Sequence, residues 1–133
     1  MRVLVTGAAG FIGSHVSEAL LRRGDTVLGI DVLSDYYPVA RKWRNLAVLS
    51  AFQNFSFERA DVRSFTSIET WRPDTVIHLA ALAGVRSSLK DPELYMDVNV
   101  GGTTRVFEQC RLHGVQRVLY ASSSSVYGES AKV

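Results

Sequence analysis

A chain of 133 residues is one domain's worth of sequence, able to bury roughly two-thirds of the surface its unfolded form exposes. With 47% hydrophobic and 21% charged residues it reads as globular, not disordered or fibrous, and its apolar runs are strand-length, too short to span a bilayer. A net charge of +2 is too small to argue for nucleic acid, and a single cysteine, Cys110, excludes an internal disulfide.

Val3-Leu4-Val5 is a short apolar run ended by Thr6-Gly7, read as a buried strand. It follows Met1 so closely that no signal peptide fits before it, and a cytoplasmic location is expected. From Phe11 to Arg23, Ile12, Val16, Ala19 and Leu20 recur at helical spacing, with Gly24 as the stop. Thr26 to Ile30 is a second strand, ending at Asp31. After Ser34-Asp35-Tyr36-Tyr37, Pro38 suits the first turn of a helix running to about Ser50. That helix carries the only basic cluster, Arg41, Lys42 and Arg44, read as its solvated face, with attraction of an anionic small molecule as the alternative. Phe55 to Glu58 alternates as a third strand, and a short helix is expected over Ser64 to Trp71. Thr75 to Ala80 is a fourth strand, apolar enough to be buried on both faces. Asp91-Pro92-Glu93 has a cap, a first-turn proline and an acid, opening a helix to His113 with Gly114 as its stop. Cys110 falls mid-pattern in that helix and is read as a structural thiol. Arg117 to Ala121 is a fifth strand, followed by four serines.

Strands alternating with helices predict an α/β protein, a Rossmann-type doubly wound parallel sheet of order 3-2-1-4-5. No repeat, low-complexity tract or linker divides residues 1–133.

Gly7, Gly10 and Gly13 have the spacing G-x-x-G-x-x-G between an apolar strand and an amphipathic helix. In that setting Gly7 permits the tight exit from the strand, Gly10 lets backbone approach a pyrophosphate, and Gly13 lets the helix pack closely on the sheet. The helix N-terminus offers unpaired N–H groups and a positive dipole end to phosphates. Asp31 ends the second strand, eighteen residues after Gly13, where a carboxylate accepts hydrogen bonds from both ribose hydroxyls of an adenosine and repels a 2′-phosphate. Val32 follows, so no arginine is offered to such a phosphate there. The cofactor expected is NAD, not NADP. His15, His78 and His113 are scattered over a helix, a strand and a helix end, so no metal site is expected.

With those residues in view the chain resembles an extended short-chain dehydrogenase/reductase, specifically a nucleotide-sugar epimerase of the NAD-dependent epimerase/dehydratase family. Thr6 to His15 is close to that family's cofactor signature, which implies contacts from Ala9, Phe11 and Ile12 beside the three glycines. Ala60-Asp61-Val62-Arg63 resembles the segment whose acid, here Asp61, binds the adenine amino group, while the N–H of Val62 meets the ring. His78-Leu79-Ala80-Ala81 resembles the segment lying along the cofactor's ribose and pyrophosphate, which implies Leu79, Ala80 and Ala81. Asn99 matches a structural asparagine of the family, grouped with the cofactor set. Tyr120 to Gly128 resembles the segment bearing the active-site Ser or Thr, which by position is Ser123. Ser34 to Tyr37 and Ala83 to Ser88 look like the UDP-glucuronate 4-epimerase branch. In that branch Arg86 lies near the sugar carboxylate, with Ser124 and Ser125 as further donors, a set able to satisfy a carboxylate by several hydrogen bonds.

The family oxidises sugar C4 by hydride transfer to NAD⁺, lets the keto sugar rotate, and returns the hydride to the other face. Its proton-abstracting Tyr is followed four residues later by a Lys, and this pair is missing: Tyr127 has Lys132 five residues on, and Tyr36 and Tyr37 are followed at that distance by Ala40 and Arg41. The family's substrate domain is missing too. The chain is therefore expected to be the N-terminal NAD-binding part of such an epimerase, inactive alone, self-associating or completed by a complementary C-terminal chain. The alternatives are a non-catalytic dinucleotide-binding module, or the cofactor half of a nucleotide-sugar dehydratase or UDP-hexose 4-epimerase.

Overall fold

The computed structural model describes residues 1–128, apart from the Ser124 side chain. Five parallel strands, β1 (Arg2–Thr6), β2 (Thr26–Asp31), β3 (Phe55–Arg59), β4 (Thr75–His78) and β5 (Arg117–Tyr120), form one sheet in the order β3-β2-β1-β4-β5. The expected topology is the observed one. Alternate residues of a strand point to opposite faces, so β1 seeds two cores. Val3 and Val5 pack with Val27, Leu46 and Leu49 under helices α1 (Phe11–Arg22) and α2 (Val39–Leu49). Leu4 packs on the other face with Ile30, Val76, Ile68 and Val106, covered by α3 (Ser67–Trp71) and α6 (Thr103–Leu112).

Several boundaries shift for identifiable reasons. The fourth strand stops at His78: the Leu79 N–H still reaches the Thr6 carbonyl while sharing the Thr6 hydroxyl, and the Ala80 N–H turns to that hydroxyl alone, which ends the ladder. Helix α3 starts later than expected, since Ser64 and Phe65 form a turn closed on the Asp61 carbonyl. A one-turn helix after β4, α4 (Val85–Ser88), was not foreseen. The long helix opened by Asp91 is capped as expected, with Asp91 accepting the N–H of Leu94. It is not uniform, however. A short α5 (Pro92–Tyr95) continues into a π-helical segment, Met96–Gly102, before α6. Gly102 falls where the helix meets Val62, and a Cβ there would come within 2.8 Å of the Val62 side chain.

At the far edge β5 differs from its neighbours. All four of its residues are exposed, with Leu119 at 48% and Tyr120 at 58%, and no strand pairs its outer side among the described residues. Among those residues no helix is long and apolar enough to cross a membrane.

Candidate functional site

Strands β1 and β4 are neighbours whose connections leave in opposite directions, and a doubly wound sheet opens a crevice at the carboxyl ends of such a pair. A cavity of about 500 Å³ occupies that place. Its walls include Gly7, Gly10, Phe11, Ile12, Gly13, Asp31, Asp61, Val62, Leu79, Ala80 and Ala81, so residues far apart in the sequence are brought to one site. Ala9 lies just beneath it, fully buried, with its N–H given to Asp31 and its carbonyl accepting from Asn45.

The glycine turn explains the floor. Gly7 has φ +73°, and a Cβ on it would meet the Ala80 nitrogen at 2.9 Å, where the β1 and β4 connections cross. At Gly13 a Cβ would run into the Gly7 carbonyl oxygen, so this glycine lets α1 sit on the turn itself and not merely on the sheet. The N–H groups of Phe11, Ile12 and Gly13 head a twelve-residue helix and have no intrahelical acceptor. With the positive end of the helix dipole behind them, they fit a pyrophosphate. A Cβ on Gly10 would lie 3.6 Å from the Tyr37 hydroxyl, which is buried without a partner among the described residues. Burial, with the charge of Asp31 adding to it, raises the Tyr37 pKa above its ordinary value and keeps it a hydrogen-bond donor.

Asp31 is nearly buried and heavily engaged. Its Oδ2 accepts from the Ala9 N–H at 3.2 Å, and its Oδ1 accepts from the Leu33 N–H at 2.8 Å and from Lys42 Nζ at 3.0 Å. Lys42 corrects the reading of the basic cluster as a solvated face. It is 5% exposed, while Arg41 and Arg44 remain outside. A signal was available: Lys42, Leu46 and Leu49 follow one another at helical spacing and form the buried stripe of α2.

Asp61 is gripped by Arg63, which donates through its backbone N–H at 2.9 Å, through Nε at 3.0 Å to Oδ1, and through its terminal nitrogen at 2.7 Å to Oδ2. The Arg63 guanidinium holds the Asp61 carboxyl below the usual carboxylate range, so it stays an acceptor. Arg63 also reaches Asp97 at 2.6 Å, and this three-residue contact was not legible in the sequence. Asn99 does not line the cavity. It clasps the loop after β4, accepting the Leu82 N–H at 2.8 Å and donating to the Leu82 carbonyl at 2.9 Å. Beneath the same loop His78 is buried between Thr6 and Thr103, at 2.6 Å and 3.0 Å, and burial lowers its pKa.

The residues expected to meet substrate lie at the same end of the sheet, outside the cavity walls. Ser123 caps a 3₁₀ turn, Ser124–Tyr127, accepting the Ser125 N–H at 3.2 Å, with the two hydroxyls 3.1 Å apart. Arg86 is exposed on α4 and makes no ion pair among the described residues. The Ser124 side chain and Lys132 lie outside the described residues. Tyr36 reaches from the β2–α2 loop to Gly84 at the start of α4, where a Cβ would come within 2.6 Å of its hydroxyl. No cluster of three metal-ligating side chains occurs among the described residues.

Residues 3–133 match the model of the NAD dependent epimerase/dehydratase family. A UDP-glucuronate 4-epimerase of Thermodesulfobacterium geofontis is 46% identical over 128 residues, covering 93% of this chain and 40% of the relative. Protein CapI of Staphylococcus aureus is 39% identical over 132 residues, covering 96% of this chain and 39% of its own. A variant UDP-glucuronic acid 4-epimerase from Bacillus cereus, solved with UDP-4-deoxy-4-fluoro-glucuronic acid and NAD, superposes with a TM-score of 0.92 at 38% identity. That superposition covers 100% of this chain and 43% of the other. The chain thus spans about two-fifths of the length of these relatives.

Proposed function

This chain belongs to the NAD dependent epimerase/dehydratase family, and from that premise we propose that it is the NAD-binding portion of a nucleotide-sugar 4-epimerase acting on a UDP-uronic acid. The observation that carries the cofactor reading is the cavity between β1 and β4, which sets the donors of α1 opposite the acceptors Asp31 and Asp61. Donors there suit the pyrophosphate, Asp31 suits the adenosine ribose, and Asp61 with the Val62 N–H suits the adenine edge. NAD, when bound, supplies a hydride acceptor and donor for C4 of the sugar. The chain's own share is to orient that cofactor against the sheet end and to offer Ser123 beside the sugar. Arg86, with Ser124 and Ser125, takes the carboxylate, a role a neutral hexose would not need. The likeness to a UDP-glucuronate 4-epimerase and to a UDP-glucuronic acid 4-epimerase supports the uronic acid over the alternatives, a UDP-hexose epimerase or a dehydratase.

Without a Tyr-x-x-x-Lys pair the chain alone binds cofactor and turns nothing over, which is also the behaviour of a non-catalytic module. The exposed apolar edge at β5 supports self-association, or cover by a complementary C-terminal chain. A cytoplasmic setting is part of this reading, and burial pushes the Cys110 thiol pKa up to about 11, which keeps it protonated and structural. Calorimetric titration with NAD tests the central claim. The wild-type chain should bind, and Asp31→Ala should weaken binding roughly tenfold to a hundredfold, the worth of hydrogen bonds to a charged acceptor. No binding by the wild type, or no change in the variant, overturns it. Turnover of UDP-glucuronate by the chain alone would refute its dependence on a missing base.

A further inference from the structure

The acid that marks this site for NAD is not a bare charge. An ionised carboxylate has about four acceptor positions, and three of those on Asp31 are filled by the Ala9 and Leu33 N–H groups and Lys42 Nζ. Lys42 in turn has three donors. One goes to Asp31, one to Ser34 Oγ at 3.3 Å, and both Lys42 and Ser34 form part of the cavity wall. The ammonium also lies 5.3 Å from the Tyr37 ring centroid, and its third N–H, with no hydrogen-bond partner among the described residues, is left for a ligand. The ammonium and the carboxylate have side chains only 6% exposed each, so their charges act at close range and little screened. Together they sum to zero at the spot where the ribose 2′ position would dock. One strand over, Arg59 is in register with Asp31 and its Nε reaches the Val32 carbonyl at 3.4 Å, adding a second cation to that rim. Simple repulsion of a 2′-phosphate by Asp31 is thus largely cancelled.

We propose that Lys42 is a specificity-determining residue of the dinucleotide site: it pairs with Asp31 to receive a ribose diol, and it becomes the ligand of an adenosine 2′-phosphate once the carboxylate is removed. The inference rests on the reading of Asp31 as the ribose acceptor. Selectivity for NAD then comes from occupancy, because the carboxylate fills Lys42's place for an anion and leaves no room for a second one. Lys42 is a point charge on a flexible stem, suited to follow a phosphate as readily as a carboxylate.

The test is direct and competitive calorimetry on the chain with NAD, NADP, ADP and 2′,5′-ADP. In the wild type NAD should be preferred. Asp31→Ser should reverse the preference, with 2′,5′-ADP gaining roughly tenfold to a hundredfold over ADP, as expected for a charge-assisted phosphate contact. Adding Lys42→Met to that variant should abolish the reversal. In the otherwise native chain, Lys42→Met should weaken 2′,5′-ADP more than ADP, because Asp31 then stands alone. Should Asp31→Ser not fold, Asp31→Asn keeps the side-chain shape and carries the same comparison. A reversal that survives Lys42→Met overturns the proposal, as does equal weakening of both ligands by Lys42→Met. Failure of the wild type to bind NAD would instead strike the reading of Asp31 itself, so the two failures are told apart.

Discussion

Replacing Thr6 with valine preserves a side chain's shape and deletes one oxygen. That oxygen accepts the N–H of Ala80 at 3.2 Å, shares that of Leu79 at 3.2 Å, and stands 2.6 Å from His78 Nδ1. A hydroxyl has two acceptor positions and one proton, and amide groups only donate. Its proton must therefore point at Nδ1, which fixes His78 as the neutral tautomer with hydrogen on Nε2, donating to Thr103 Oγ1 at 3.0 Å. In Thr6→Val the Leu79 N–H keeps its bond to the Thr6 carbonyl, while the Ala80 N–H and His78 Nδ1 lose their partners. An unsatisfied buried group costs about 1–3 kcal/mol, and Ala80 is only half-buried, so the loss should be about 2–4 kcal/mol. Against a typical domain stability of about 5–15 kcal/mol that is a large shift of a urea midpoint at constant slope. Long-range nitrogen–proton NMR of the imidazole should report Nε2–H in the wild type and lose that exclusivity in the variant. A change under about 0.5 kcal/mol, within the usual range of inconsequential substitutions, or an Nδ1–H tautomer in the wild type, refutes the reasoning.

Four further outcomes rest on the same structure. Because burial puts the folded His78 pKa below the unfolded value of 6.5, the unfolded chain takes up the proton first. Its contribution is present above pH 6.5 and lost as pH falls towards the folded value, with a slope of at most about 1.4 kcal/mol per pH unit. Urea midpoints that rise between pH 7 and pH 5.5 would carry the wrong sign. Gly13→Ala drives a Cβ into the Gly7 carbonyl and should cost about 1–3 kcal/mol together with most NAD binding, read by urea melts and calorimetry. Gly24→Ala, at positive φ but with nothing near its Cβ, should leave NAD affinity unchanged. Leu119→Lys places a charge on the open β5 edge and should lower the mass seen by light scattering; an unchanged mass argues against association through that edge.

The sheet was legible because each strand is an apolar run between turn residues, and the order 3-2-1-4-5 follows from one reversal of winding direction. The glycine turn was equally plain, since Gly7 and Gly13 each answer to a contact that any side chain would block. What escaped were features set by position against residue type. Lys42 was assigned to solvent for its charge, although its spacing to Leu46 and Leu49 puts it on the buried stripe. The grip of Arg63 on Asp61 and Asp97 joins residues 34 apart, and nothing local announces it. Asn99, expected with the cofactor set from the resemblance, also holds Leu82 of the cavity wall through its amide, a contact across 17 residues that nothing local announces. Helix α4 is a single turn, too short to show a period.

The widened turn between Met96 and Gly102 has a consequence for the timing of side chains around a helix. A π-helical turn is an α-helix with a residue inserted, and each residue advances the helix by about 100°. It works as a phase adjuster: within it Asn99 faces the loop after β4, and downstream Val106 and Cys110 face the core under the sheet. Deleting one residue from this stretch would restore a regular helix of nearly the same length. It would also rotate one half against the other, so that the helix could hold the loop or cover the core, but not both.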